Sequence, residues 1–346
     1  MTADPLLGTG IFLLGGVAAS LYLLPLRWTR RWSYERSWLM SVLLGWLVFP
    51  LVFDAFFAPG TLSIVFAEPL LVAKTVGFGV IWGVGALAWA LMVRYLGVGL
   101  GLAIGAGLCA ATGTLLPPVL TGRAASLVAT PGARLVLAGV ALSLIGIALV
   151  GAAGRLKEGE MDEAAKKKAV ADYDFKKGLF TAVLAGVASA GINFGLQGAP
   201  EWEAAALARG IPAVWTGMPV LTAVLWGGVL TQTAWVIWKT GRSPVRRGLG
   251  GGGRFMSAGR NFFLCAVTGV TGMSQFLFQK VGEPLMGEMR YISFAVLMAS
   301  SIFFATAVGA ALGEWKGVRR RTFALLLTGL AVLLSAFVII SLGGRS

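Results

Sequence analysis

No histidine occurs anywhere in the 346 residues of this chain, cysteine occurs twice, and acidic side chains number 15 against 29 basic ones. A Cys/His metal site is therefore excluded. Cys109 and Cys265, each set inside an apolar run, read as buried structural thiols. Charge of either sign is scarce, at 13% of residues where a soluble domain carries about 25%. That excludes an ordinary soluble domain. The apolar residues come in continuous runs, not in the short alternating segments of a membrane β-barrel, so a barrel is excluded as well.

What is present is apolar: 57% hydrophobic residues, a mean hydropathy of +0.81 and 49 glycines. Runs of about 20 such residues span a bilayer core as helices, which defines an all-α integral membrane protein. Ten transmembrane helices are predicted, at 8–26, 37–57, 72–93, 98–120, 134–152, 178–198, 213–238, 260–280, 290–312 and 322–343. The first has no basic stretch ahead of it, only Asp4, and reads as a retained span rather than a signal peptide.

The net charge of +14 would point to nucleic acid in a soluble protein; here it points to basic loops on one side of a membrane. Twenty-two of the 29 basic residues fall after spans one, three, five, seven and nine. Those loops are expected in the cytoplasm, with both termini on the periplasmic side. The densest of them, RLKEGEMDEAAKKKAVADYDFKKG (155–178), holds thirteen of the chain's 44 charged residues. It reads as a solvated linker with a short surface helix through 160–170, and not as catalytic. The expected organisation is a first five-helix repeat (1–152), the linker (153–177) and a second repeat (178–346). An odd number of spans per half inverts the second half, giving a 5+5 inverted repeat. LGGVAAS (14–20) and LAGVASA (184–190) echo one another at the start of each half.

Glycine recurs every four residues at Gly97, Gly101 and Gly105, and at Gly79 and Gly83, the spacing that lets helices approach closely in lipid. GLGLAIG (99–105) follows no strand and is not a dinucleotide fingerprint. LGGGGR (249–254) lacks the Lys-Ser/Thr of a phosphate loop and reads as a flexible linker.

Chemistry in a bilayer rests on polar groups inside spans. Asp54, in GWLVFPLVFDAFFAPG, is either a carboxylate that carries a proton as access alternates or one that snorkels to the headgroups. Glu35 stands at the start of span two, among Arg30, Arg31 and Arg36, and reads as an ion pair or inner gate, with proton coupling as its transport alternative. Glu68 and Glu314 read as boundary residues. Two amide pairs, Asn193 with Gln197 and Gln275 with Gln279, each four residues apart and so on one helix face, suit sugar hydroxyls. Trp82, Trp89 and Trp226 offer flat apolar surfaces for a sugar ring. Taken singly, each of these residues is better explained by helix packing; the substrate reading rests on the pairs. No cofactor and no metal are implied. A lipid-linked sugar transferase would need a carboxylate cluster or a metal site, and neither is seen.

LLPLRWTRRWSYERSW (23–38), IWGVGALAWALMVRYLGVGLGLAIGAG (81–107), GTLLPP (113–118), GRLKEGEM (154–161) and LGEWKG (312–317) run in this order over nearly the whole chain. Together they resemble the bacterial L-rhamnose–proton symporter family, within the drug/metabolite transporter superfamily. The resemblance implies ten spans in a 5+5 inverted repeat and proton-driven uptake of L-rhamnose or a related sugar across the inner membrane. Export, exchange or sodium-coupled transport of another small metabolite is the alternative within that superfamily. A second copy of the chain is a further candidate partner. The chain departs from the family in its ninth span, where Leu297 occupies the place of a histidine and Arg290 that of an acidic residue.

Overall fold

The computed structural model describes residues 4–120, 125–160, 170, 172–241, 254–286 and 293–343. Among these the backbone is helical throughout, with turns and no strand. A chain surrounded by hydrocarbon has no water to pair its N–H and C=O groups, and helices satisfy them within each segment. The elements are α1 (Pro5–Leu21), α2 (Tyr34–Val42), α3 (Phe49–Phe57), α4 (Thr61–Val65), α5 (Pro69–Leu96), α6 (Val98–Leu120), α7 (Ser126–Ala129) and α8 (Pro131–Glu160). They continue with α9 (Phe175–Gln197), α10 (Pro200–Ala208), α11 (Met218–Gly241), α12 (Arg254–Leu285), α13 (Ser293–Ala311) and α14 (Arg320–Gly343).

Among the described residues, eight helical segments are long and apolar enough to cross a membrane: Leu6–Trp28, Tyr34–Phe57, Pro69–Leu96, Pro131–Lys157, Phe175–Ala208, Ala213–Lys239, Ala258–Leu285 and Arg320–Ile340. Their outward faces carry bare apolar side chains, including Leu6, Phe56, Leu70, Phe180, Ile237, Phe263 and Val338. In water such faces would drive aggregation; in a bilayer the lipid tails cover them.

Span two is not one regular helix. A π-turn, Leu43–Val48, joins α2 to α3, and the Phe49 N–H reaches back to the Leu44 carbonyl. Pro50 stands just beyond and is the cause: it brings no N–H and its ring displaces the carbonyl four residues earlier, so the ladder widens by one residue.

The described chain divides into two compact units. One comprises Met1–Ser20, Gly85–Ala190 and Leu277–Ser346. Here α8 lies along α14, with Gly146 and Gly329 at the contact; a Cβ added at Gly146 would be 3.1 Å from the Gly329 carbonyl oxygen. The sharp reversal from α5 into α6 uses Gly97 at φ +87°, a conformation that costs glycine little. Gly101 and Gly105 of the predicted stripe pack back on Met92 of α5. Glu160 caps the start of α14, accepting from the Arg319 N–H at 2.8 Å and the Thr322 hydroxyl at 2.7 Å. Those donors hold its carboxyl below the usual range, so the cap persists at neutral pH and is lost as pH falls through that lowered value. The surface helix expected through 160–170 and the linker at 249–254 lie almost wholly outside the described residues.

The other unit comprises Leu21–Val84 and Gly191–Phe276. Its centre is α11, packed on α2, the π-turn, α3, α4 and α10. Glycines again set the contacts: a Cβ on Gly45 would be 2.2 Å from the Gly269 carbonyl oxygen, and one on Gly79 would be 2.1 Å from that of Val224.

Candidate functional site

Within the second unit, span two and α11 are joined by polar side chains along their length. At one end the Thr222 hydroxyl donates to Asp54 Oδ2 at 2.8 Å. Asp54 is only 4% exposed and so is packed among protein groups. Its second oxygen, Oδ1, has no hydrogen-bond partner among the described residues. Four further buried polar atoms in this unit are likewise unpartnered among the described residues: Thr75 Oγ1 on α5, Trp202 Nε1 on α10, Trp226 Nε1 on α11 and Thr268 Oγ1 on α12.

Further along the seam, Trp38 Nε1 donates to Gln232 Oε1 at 2.8 Å, and the Gln232 amide donates to the Gly83 carbonyl. Gln232 is fully buried, so both halves of its amide must be paired, and they are. At the far end Lys239 pairs with Glu35, where α2 begins. Ser33 caps that helix by accepting from the Arg36 N–H at 3.2 Å. Between the seam's ends lie the aromatics. Trp46, carried on the π-turn, packs on Trp82 with ring centroids 4.6 Å apart, and Phe276 meets Trp82 edge-on at 5.3 Å. Gly228 gives these rings room, since a Cβ there would come 2.7 Å from Trp82.

The predicted residues are distributed as follows. Asp54, Glu35, Trp82, Trp226 and Gln275 all belong to this unit. Trp226 stacks on Phe66 at 5.9 Å. The Gln275 amide donates to the Gly272 carbonyl of its own helix at 2.8 Å. Gln279 belongs to the first unit, where its amide meets Glu283 at 3.4 Å. Asn193 and Gln197 lie on α9; their side chains are outside the described residues. Leu297 packs in an apolar cluster with Phe12 and Met286.

Two features escaped the sequence reading. Gln232 has no second amide four residues away, and its one signal in the sequence is an amide inside an apolar run. Glu314 looked like a boundary residue, yet it is 1% exposed and caps α6 from a distance. Its carboxylate accepts from the Val98 N–H at 2.8 Å and the Gly99 N–H at 3.2 Å, in space left by Gly97 and Gly309. Beside it the buried Lys157 ammonium stands 4.6 Å from the Trp315 ring centre and 5.5 Å from that of Tyr173. Glu314→Ala strands two buried donors and should lower stability by about 1–3 kcal/mol. The exposed Glu68→Ala should leave it unchanged, and thermal unfolding in detergent compares the two.

Apolar helices of bilayer length, with a carboxylate and amides buried between them, define a polytopic helical membrane protein. The comparisons with known proteins then make the class particular. The family described as L-rhamnose-proton symport protein (RhaT) matches residues 1–346, and the chain belongs to it. It is similar to the L-rhamnose-proton symporter of Cronobacter sakazakii, 32% identical over 337 residues, covering 96% of this chain and 95% of that one. It is 31% identical over 349 aligned positions to the L-rhamnose-proton symporters of Yersinia pestis and Yersinia pseudotuberculosis, with 98% of each chain covered. No solved structure matches. The family is one of transporters, not enzymes.

Proposed function

We propose that this protein is a secondary active transporter of the bacterial inner membrane that takes up L-rhamnose, or a closely related sugar, together with a proton. The observation that carries the reading is the family match over the entire chain, joined to relatives of nearly equal length. The eight long spans, with α6 and α13 added, give ten. We take these as a 5+5 inverted repeat with both termini periplasmic, the linker at 153–177 cytoplasmic and the halves at 1–152 and 178–346.

The glycine contacts support the repeat. If spans one to five correspond to six to ten, the Gly45–Gly269 contact of spans two and eight has its counterpart in spans seven and three. Those are the spans joined at Gly227 and Gly79, where a Cβ on Gly227 would be 2.7 Å from Gly79. The echoed segments agree: Gly16 of LGGVAAS packs on Ser300 of span nine, and Gly186 of LAGVASA packs on Leu108 of span four. Spans one and nine correspond to six and four.

In this reading Asp54 carries the proton, since the chain offers no histidine and Leu297 packs among apolar groups. Glu35 with Lys239 forms the inner closure. Asn193, Gln197, Gln275 and Gln279 supply amides to the sugar, with Trp82 and Trp226 as apolar surface. Radiolabelled rhamnose uptake into proteoliposomes under an imposed pH gradient tests the function. Saturable, gradient-driven accumulation is expected. Uptake that follows a sodium gradient instead would favour the sodium-coupled alternative, and failure to accumulate rhamnose at all would overturn the reading.

A further inference from the structure

The Asp54 carboxylate is held asymmetrically. Oδ2 accepts the Thr222 hydroxyl, while Oδ1 has no partner although the residue is almost wholly buried. An unpaired oxygen there is costly, and such an atom in a native site asks for a ligand. It is not alone. Thr75, 1% exposed, precedes Val76, whose carbonyl oxygen would meet a Cβ on Gly227 at 2.1 Å. This sets the Val76 end of α5 against α11 at Gly227, the residue that follows Trp226. Thr75 Oγ1 and Trp226 Nε1 are two of the unit's other orphaned polar atoms, Trp202 Nε1 on α10 and Thr268 Oγ1 on α12 being the rest among the described residues. A carboxyl oxygen, a hydroxyl and an indole N–H form a mixed set of donors and acceptors. That is the chemistry of a polyhydroxylated ligand, and it is more than a proton alone requires.

We propose that proton and sugar meet on the same carboxyl group: Thr222 anchors Oδ2, and the protonated Oδ1 donates its hydrogen to a sugar hydroxyl, with Thr75 and Trp226 as further contacts. Thr222 is then a positioning residue, because it decides which carboxyl oxygen faces the sugar. The arrangement makes coupling stoichiometric. Without the proton Oδ1 cannot donate, so the sugar is held weakly; without the sugar the proton-bearing oxygen is left unpaired. The inference rests on the rhamnose–proton reading above and specifies where in the protein coupling occurs.

Of this unit's other charged groups, Lys74 on α5 precedes Thr75 and donates to the Gly198 carbonyl, and Glu201 and Glu203 stand in the first turn of α10. α3 packs on the π-turn, which has no charged residue, and on α11, whose one charged residue is Lys239 in its last turn, paired with Glu35. The short 3-10 turn Ala213–Trp215, whose Trp215 packs on Phe53, has none. Arg209 on the neighbouring loop bonds to the Ser63 hydroxyl. A pH dependence of sugar affinity therefore reports Asp54.

The test is rhamnose binding to the purified full-length protein from acid to alkaline pH, for wild type, Thr222→Val, Thr222→Ser and Asp54→Asn. Wild type should bind more tightly on the acid side. Thr222→Val, which keeps the side chain's volume, should bind about tenfold more weakly at acid pH and with a flattened pH profile. Thr222→Ser should restore both. Asp54→Asn, whose amide donates at every pH, should bind with no pH dependence. A Thr222→Val protein with wild-type affinity and profile overturns the proposal, as does equal weakening in the Val and Ser variants, since shape and not the hydroxyl would then matter. A wild-type protein that binds no rhamnose at any pH overturns the transport reading beneath it.

Discussion

Asp54→Asn should abolish accumulation of sugar against a gradient while leaving exchange between equal pools intact. Accumulation needs a group that loads a proton on one side and releases it on the other, and an amide cannot do so. Exchange needs only binding and reorientation, and asparagine retains both an acceptor for Thr222 and a donor for the substrate. The outcome is sharp because Asp54 is buried and bonded to Thr222 of α11. Glu35, the other acidic candidate, is already engaged by Lys239. The measurement is paired: concentrative uptake under a pH gradient, and label exchange in its absence. A variant that still concentrates sugar in a pH-dependent way would remove Asp54 from coupling and assign that role to Glu35 or to a sodium ion.

The second large effect is expected at two glycines only two residues apart on α5. A Cβ on Gly79 would lie 2.1 Å from the Val224 carbonyl oxygen and 3.0 Å from Gly227, backbone atoms that cannot rotate aside. Gly79→Ala should therefore force the helices apart and cost about 1–3 kcal/mol or more. A Cβ on Gly77 meets nothing within 4 Å, so Gly77→Ala should be neutral or stabilise by up to about 1 kcal/mol through helix propensity. Gly45→Ala, against Gly269, should resemble Gly79→Ala if the two contacts are counterparts. Unfolding of the purified variants in detergent measures all three. Equal behaviour of Gly77→Ala and Gly79→Ala would refute the packing described for this unit.

The helices were legible in the sequence because hydrocarbon leaves the backbone one choice and apolar length marks it. Where the sequence reading fell short, the decisive factor was distance along the chain. Asp54 announced itself as a carboxylate in an apolar run, but Thr222 lies 168 residues away and looks like any hydroxyl in a helix. Gln232 and Trp38 are separated by 194 residues, and Lys239 and Glu35 by 204. Such pairings are made by tertiary packing, to which periodicity is blind. Glu314 was misread for another reason. Hydropathy places it at a span edge, and nothing local says that the edge folds inward onto the start of α6. The π-turn at Leu43–Val48 was foreshadowed only by Pro50.

The claim that proton and rhamnose move together is tested most directly by the proton itself. In lightly buffered, de-energised cells or right-side-out vesicles containing the protein, adding rhamnose should make the external medium more alkaline as protons enter with the sugar. The Asp54→Asn protein should give no such rise while still exchanging labelled sugar. Entry of labelled rhamnose through the wild-type protein with no accompanying alkalinisation would contradict the account.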